Sequence, residues 1–382
     1  MNPNPLALPI AIVLVAILVV ALSIRRLRTL QRTSHGKWRR ITERVLLSLV
    51  IFLCVILAGS TIFNAAALRY YRAIYPAPGK MYSVNGHELH IYCTGEGSPT
   101  IVLEAGGGND SLAWAKVQPE LSKTTRVCSY DRAGMGWSTP GPAPRDADSI
   151  ASELHALLQQ AGVSGPIVLM GHSMGGIIIR AYATHYPQDL AGMIFIEGAS
   201  PLQEDHVSAE LRAQMLPSAS QYYSYVALIA LGIPRLMGDC SADSRFDGQI
   251  ARMKGQLDCG MLLSEFWREY TAAQRSGEET INTGPYGDLP VLIFSRDPQL
   301  DRQAPNLSPK LALEWSVDWD RDQEALKRLS TRSRRIIAKG SGHHLPIDRA
   351  DLINREVPIF IQEIRNNELR TDYGSTKNGM RR

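Results

Sequence analysis

Gly171-His172-Ser173-Met174-Gly175-Gly176 follows the apolar run 167–170 and opens into Ile177, Ile178, Ile179, Ala181 and Tyr182. A buried strand that turns through a glycine-flanked serine into a buried helix presents a nucleophile on a tight elbow. The glycines two before and two after Ser173 leave space where side chains would strike the strand or the helix. The serine itself is expected in strained backbone geometry that lifts its hydroxyl clear of the sheet. The helix behind it aims its N-terminal amides at negative charge developing beside Ser173. G-x-S-x-G alone is a common match, so its weight comes from the strand before it, the helix after it and its partners elsewhere in the chain.

Working outward, further apolar strand candidates lie at 89–92, 100–103, 127–130, 193–196, 291–294 and 336–338. Helix candidates alternate with them at 111–122, 147–161, 174–186, 322–329 and 351–365. Strands buried on both faces and separated by helices predict an α/β fold with a mostly parallel twisted sheet and helices on both faces. The alternation breaks between 200 and 286, where the composition turns helical and aromatic, with Tyr222, Tyr223, Tyr225, Phe266, Trp267 and Tyr270. That stretch reads as an inserted helical cap, its aromatic residues forming either the cap's own core or the lining of a pocket. The domain is expected over 76–366, and the polar remainder 367–382 as a mobile tail.

A serine hydroxyl needs a base. Lys339-Gly340-Ser341-Gly342-His343-His344 follows the last strand candidate and places His343 on a loop at the carboxyl edge of the sheet, the edge that carries the elbow. His344 is its neighbouring alternative. An oxyanion needs amide donors, and Gly106-Gly107-Gly108 forms a turn straight after the strand at 100–103. The two donors assigned are the amides of Met174 and Gly107. A phosphate-cradling loop is the rival reading of that turn, but no Gly-Lys-Ser or Gly-Lys-Thr follows it.

The front of the chain has a different character. Two apolar runs, 6–24 and 45–68, are each long enough to cross a hydrocarbon core of about 30 Å. A cleaved signal peptide carries positive charge before its apolar stretch, whereas residues 1–5 contain no Lys or Arg. The charge comes afterwards: Arg25, Arg26, Arg28, Arg32, Lys37, Arg39, Arg40 and Arg44 stand against the single Glu43 in the connector 25–44. Such a connector is expected to stay cytoplasmic, which makes 1–75 a two-span membrane hairpin and stalk and puts the remaining domain on the extracytoplasmic side. It also holds more positive charge than the chain's net +4, so the rest of the chain is net negative and nothing suggests a nucleic-acid partner. Of the five cysteines, Cys54 lies in the second span. Cys93, Cys128, Cys240 and Cys259 fall in the domain expected to face an oxidising compartment, where four thiols permit two disulfides, and their spacings do not resemble a zinc site.

Taken together, the glycine turn at 106–108, the segment Tyr130-Asp131-Arg132-Ala133-Gly134-Met135-Gly136-Trp137-Ser138, the elbow, and Gly342-His343 ahead of Asp348-Arg349-Ala350-Asp351 resemble the α/β-hydrolase superfamily. The resemblance covers most of 80–366. It implies an eight-stranded sheet, a Ser, acid, His order along the chain, and structural roles for Asp131 and Arg132 in shaping the loop beside the pocket. Two departures stand out. Ala105 occupies the place of a histidine that supports the oxyanion turn in most relatives. The acid position is also displaced: Ser295 replaces the usual glycine and Pro298 stands where the aspartate is expected, with Asp297 before it and Asp301 after it. Asp297 ranks first as the acid, then Glu197 at the end of the strand at 193–196, then Asp301. The resemblance further suggests a Cys93–Cys128 disulfide between neighbouring strands, leaving Cys240 and Cys259 to clip the cap.

The expectation is therefore a membrane-anchored serine hydrolase acting on a small ester-like substrate with an apolar group, through an acyl-enzyme on Ser173, with no metal or organic cofactor. Dehalogenase and epoxide hydrolase chemistry is disfavoured, because such relatives carry Asp where this chain has Ser173. The alternative is a non-catalytic binding or scaffold protein at the membrane that keeps the fold.

Overall fold

The computed structural model describes residues 7–30, 36–201, 203, 206–215, 218–238, 240–258, 263–301 and 307–379. The chain divides into two compact units, 1–76 with 218–263, and 77–217 with 264–382. The first boundary, after Pro76, falls at the end of the stretch 1–75 that the sequence marks as hairpin and stalk. The second cuts through the insertion, whose residues 218–263 fall in the first unit and 264–286 in the second.

In the first unit, helix Ala7–Leu30 takes in 7–24 of the first apolar run and continues past its end, and helix Lys37–Ile74 contains the second run and extends beyond it at both ends. Much of the basic connector is thus helical rather than loop, and Arg26 on one helix meets Glu43 on the other at 2.5 Å. Both helices are long and apolar enough to cross a membrane. Their large apolar side chains, including Leu14, Leu18, Leu46, Phe52 and Ile62, are exposed, whereas a helix in a soluble core buries that surface. Helices Ala219–Ala230, Ile233–Met237 and Gly248–Asp258 complete this unit.

The second unit is built on an eight-stranded sheet. Its strands are β1 (Lys80–Val84), β2 (His87–Thr94), β3 (Thr100–Glu104), β4 (Val127–Tyr130), β5 (Ile167–His172), β6 (Leu190–Ile196), β7 (Val291–Arg296) and β8 (Ser333–Ala338). Their spatial order is β1-β2-β4-β3-β5-β6-β7-β8, with β2 antiparallel to its neighbours and every pair from β4 onward parallel. The central strands β3, β5 and β7 are buried along their whole length, as their near-continuous apolar sequences require for a parallel sheet covered on both sides. One face packs Leu154, Leu157, Ile179 and Tyr182 onto the sheet. The other packs Trp114, Val117, Ile353 and Phe360.

Strand β1 is absent from the sequence reading, which places that stretch in the domain 76–366 without assigning it a strand. It pairs with β2 through a tight hairpin whose central residues Asn85 and Gly86 both take positive φ (50° and 83°). Asn-Gly is the strongest short-range hairpin signal, but β1 is largely solvent-facing and lacks the apolar run that marks the other strands. The helix expected at 111–122 is split into a 3-10 turn, Ser111–Trp114, and the short helix Gln118–Leu121. The helix expected at 322–329 begins earlier, at Pro309, behind the side-chain cap of Ser308. The last helix runs Ala350–Gly379, past the point where the polar tail was expected, because no glycine or proline interrupts 359–373.

Cys93 and Cys128 face each other across the antiparallel β2–β4 pair and are joined by a disulfide. Cys240 is disulfide-bonded and Cys54 is free. Cys259, its partner in the expected second pairing, lies outside the described residues.

Candidate active site

Strand β5 ends at His172, and Ser173 takes φ +51° before the helix Gly175–His185 begins. A side chain at Gly171 would sit 2.5 Å from the Gly175 carbonyl oxygen, and one at Gly175 would sit 2.7 Å from the Glu104 carbonyl oxygen. Such separations are far inside van der Waals contact, so the elbow closes only with glycine at both positions. The Ser173 amide donates to the Ile196 carbonyl at 3.1 Å, and its carbonyl accepts from the Gly176 and Ala199 amides. Three backbone bonds thus hold a conformation that serine does not favour.

His343 Nε2 lies 2.9 Å from Ser173 Oγ. On the other side of the ring, His343 Nδ1 lies 3.3 Å from a Glu197 carboxylate oxygen. A carboxylate only accepts, so Nδ1 carries the proton and Nε2 presents its lone pair to the serine hydroxyl. His344 is exposed, with its ring 5.6 Å from that of His343, and heads the short helix Leu345–Asp348.

Glu197 directly follows β6 and, like Ser173, has a positive φ of 51°. Its side chain is fully buried. One carboxylate oxygen accepts the Arg296 amide at 2.6 Å, and the other lies 3.2 Å from the Arg296 guanidinium. The Arg296 guanidinium stacks 4.4 Å above the ring of Trp319, whose edge meets the His343 ring at 5.6 Å. A buried carboxylate requires such pairing. Neither Arg296 nor Trp319 is singled out by the sequence; the position of Arg296 at the carboxyl end of β7, the sheet edge that also carries Ser173, is the signal that points to it.

Of the three acids considered from the sequence, the structure brings Glu197 to the histidine ring. Asp297 does not reach the histidine ring: one oxygen accepts the Gly340 amide and the other the Gln299 amide, both at 3.0 Å. Hydrogen bonds from Gly340 and then Gln299 hold its pKa below the usual carboxylate range. Asp297 thus pins the loop that carries His343, and its own amide donates back to Ser341. With Pro298 starting a short helix immediately afterwards, the side chain is turned toward that loop. Asp301 ends the same helix, Pro298–Asp301, and its side chain lies outside the described residues.

His172 supplies a second tie to the histidine loop. Its Nε2 lies 2.9 Å from the His343 carbonyl oxygen and donates to it. Burial, and after it the charge of His343, hold the His172 ring down to about 3, so it stays neutral.

The glycine turn after β3 lies against the elbow. A side chain at Gly106 would come within 3.3 Å of Ser173 Cβ, and one at Gly107 within 3.6 Å of Met174 Sδ and 3.2 Å of the Phe266 ring. Among the described residues, the amides of Met174 and Gly107 donate no hydrogen bond, which leaves both available to a ligand oxygen.

Where the histidine of most relatives is replaced by Ala105, the turn is held from beneath by Arg132. Its guanidinium donates to the Ala105 and Gly106 carbonyls at 2.7 and 2.8 Å, and pairs with Glu104 at 2.7 Å and Glu269 at 2.8 Å. All three charged groups are buried. Burial disfavours the guanidinium's charge, but Glu269 and Glu104 outweigh it and raise the Arg132 pKa. Asp131 likewise holds the loop after β4, accepting from the Ser111 and Trp137 amides and facing His90 at 2.8 Å. Asp131 and Arg132 thus take the structural roles expected of them. Glu269, from the insertion, carries no sequence signal of its role.

A family model described as the alpha/beta hydrolase fold matches residues 99–233. YqjL, an uncharacterized protein of Bacillus subtilis, is 34% identical over 277 residues, which is 72% of this chain and 88% of the relative. An uncharacterized protein of Schizosaccharomyces pombe is 25% identical over 334 residues, 77% of this chain, and the match spans 58% of that relative's length. Among solved structures, a thermophilic esterase from Thermogutta terrifontis superposes with a TM-score of 0.52 at 22% identity, covering 75% of this chain and 98% of its own, a likeness of fold. Identity at the level of the Bacillus protein over most of its length, joined to a fold model that spans the nucleophile elbow, makes this chain a member of the α/β-hydrolase superfamily.

Proposed function

We propose that the protein is a membrane-anchored serine hydrolase that cleaves an ester-like substrate through an acyl-enzyme on Ser173. The observation that carries this reading is the 2.9 Å separation between Ser173 Oγ and His343 Nε2. In the first half-reaction His343 takes the serine proton as Oγ attacks the carbonyl carbon, and the carbonyl π electrons move onto oxygen. That oxyanion is stabilised by the amides of Met174 and Gly107. Collapse of the intermediate expels the alcohol, which receives the proton from His343. In the second half a water gives its proton to His343 and attacks the acyl carbon, and Ser173 leaves with that proton restored. Glu197 holds the Nδ1 proton in place and stabilises the imidazolium formed in each half.

An ester with an apolar acyl or aryl group suits the site, because Phe266 stands over the glycine turn at Gly107 and Gly108. The two apolar helices support anchorage in a membrane. The Cys93–Cys128 disulfide favours an oxidising, extracytoplasmic location for the catalytic domain. A fluorophosphonate probe tests the reading: the wild-type protein becomes labelled and Ser173→Ala does not. Folded wild-type protein that resists the probe would point instead to a scaffold with the fold alone.

A further inference from the structure

Within the first unit, the second apolar helix buries three polar residues. Ser60, Thr61 and Asn64 fall inside the run 45–68 and share one face of the helix, while Ile62 and Phe63 beside them are exposed. Ser60 Oγ donates to the Leu231 carbonyl and Asn64 Nδ2 to the Ile229 carbonyl at 3.0 Å. Asn64 Oδ1 in turn accepts from the Arg235 guanidinium at 3.0 Å. The carbonyls at 229 and 231 lie at the C-terminal end of helix Ala219–Ala230, where the Ile229 carbonyl also accepts from the Gly232 amide at 2.8 Å and carbonyls run out of intrahelical donors. The turn that follows is made by Gly232 at φ +72°, where a side chain would come within 2.8 Å of Asn64 Cβ. A glycine permits this close approach of backbone to helix, and polar side chains on the apolar helix satisfy the carbonyls that the approach brings there.

The depth of this contact is decisive. Arg69 is the first charged residue beyond the apolar run. Ser60 lies nine residues before it and Asn64 five, so at about 1.5 Å of rise per residue the contact sits about 7 to 13 Å inward of that charge. No charged residue occurs between Arg212 and Arg235. The two helices joined by the turn expose Tyr223 (63%), Tyr225, Leu228, Leu236 and Met237 (73%). A pair of helices whose one charged side chain, Arg235, is bound to Asn64 and Gln256, with apolar side chains turned outward and a tie to a membrane helix below its charged end, has a surface suited to acyl chains and little suited to water.

We infer that the helix pair 219–237 is a third membrane element, an interfacial hairpin that enters the extracytoplasmic leaflet beside the second span and presents Leu228, Leu236 and Met237 to lipid acyl chains. The inference rests on the spanning role of the second helix and is independent of the chemistry at Ser173.

The test uses the full chain in phosphatidylcholine nanodiscs, in a Cys54→Ser background, with an environment-sensitive fluorophore on one introduced cysteine at a time: Leu228→Cys, Met237→Cys, Leu53→Cys within the span, and Lys310→Cys as the aqueous reference. Each variant is first required to keep the parent's cooperative thermal melt. With spin-labelled acyl chains in the disc, positions 228 and 237 are expected to be quenched several-fold more strongly than position 310, and comparably to 53. Quenching at 53 with 228 and 237 indistinguishable from 310 would overturn the hairpin alone. All four positions alike would overturn the spanning role of the second helix along with it.

Discussion

Glu197 approaches His343 from the end of β6 with a carboxylate oxygen 3.3 Å from Nδ1, in the same left-handed backbone conformation that Ser173 adopts one strand away. Ser173 and Glu197 thus sit on equivalent strained corners of adjacent parallel strands, and the histidine loop bridges them. Glu197→Gln should lower kcat about ten-thousand-fold, as the amide group favours the wrong histidine tautomer. Asp297→Asn should cost about a hundredfold at most, because it loosens the loop without removing the acid. Steady-state turnover of a nitrophenyl ester checks this, and the reverse ranking would return the acid to Asp297.

Arg132 satisfies two buried carboxylates and two carbonyls of the glycine turn at once. Removing it strands Glu104 and Glu269 in the interior, so Arg132→Met should destabilise the fold by about 3–5 kcal/mol. Glu269→Gln should be milder, because an amide oxygen still accepts from the guanidinium. Denaturant midpoints in detergent give the comparison; equal losses for the two variants would contradict this account of the turn's support.

His172 titrates near 3 in the folded protein against an ordinary value of 6.5. Between those values the unfolded chain binds the extra proton and the folded one does not, so this residue makes stability rise with pH through that window and fall as the medium is acidified. Replacing it with glutamine, whose amide can still donate to the His343 carbonyl, should flatten the acid side of a plot of thermal midpoint against pH. An unchanged slope would show that the ring protonates freely in the folded state.

The Cys93–Cys128 bridge closes a loop with a sequence separation of 35 and ties β2 to β4. The double variant Cys93→Ala, Cys128→Ala should lose about 2–4 kcal/mol of stability without reductant. Reductant should lower the wild type by more than it lowers the variant, which keeps only the disulfide at Cys240. A wild type indifferent to reductant after unfolding would mean that the bridge contributes nothing.

Features that a local pattern dictates were legible in the sequence. The elbow at 171–176 needs its glycines for steric reasons confined to a few residues, and the seven strands expected from the sequence announce themselves by short apolar runs. His343 was legible because one loop after the last strand carries it to the edge where Ser173 waits. Other features depend on distant partners. The choice of Glu197 over Asp297 is made by the direction of one carboxylate after β7, where Pro298 turns the chain, and no spacing rule records that direction. The division of the insertion is set by Ser60 and Asn64 bonding to carbonyls at 231 and 229, across well over a hundred residues. Strand β1 was missed although Asn85-Gly86 marks its hairpin, because its exposed residues carry no apolar run.

An acyl group carried on Ser173 during turnover can be observed directly. Full-length protein mixed with a nitrophenyl ester, quenched in acid within the first turnovers and digested for mass spectrometry, should show one acyl group on the peptide containing Ser173. The adduct and the ester turnover should both disappear in Ser173→Ala. Turnover that survives that substitution, or an acyl group found on any other side chain, would contradict the account.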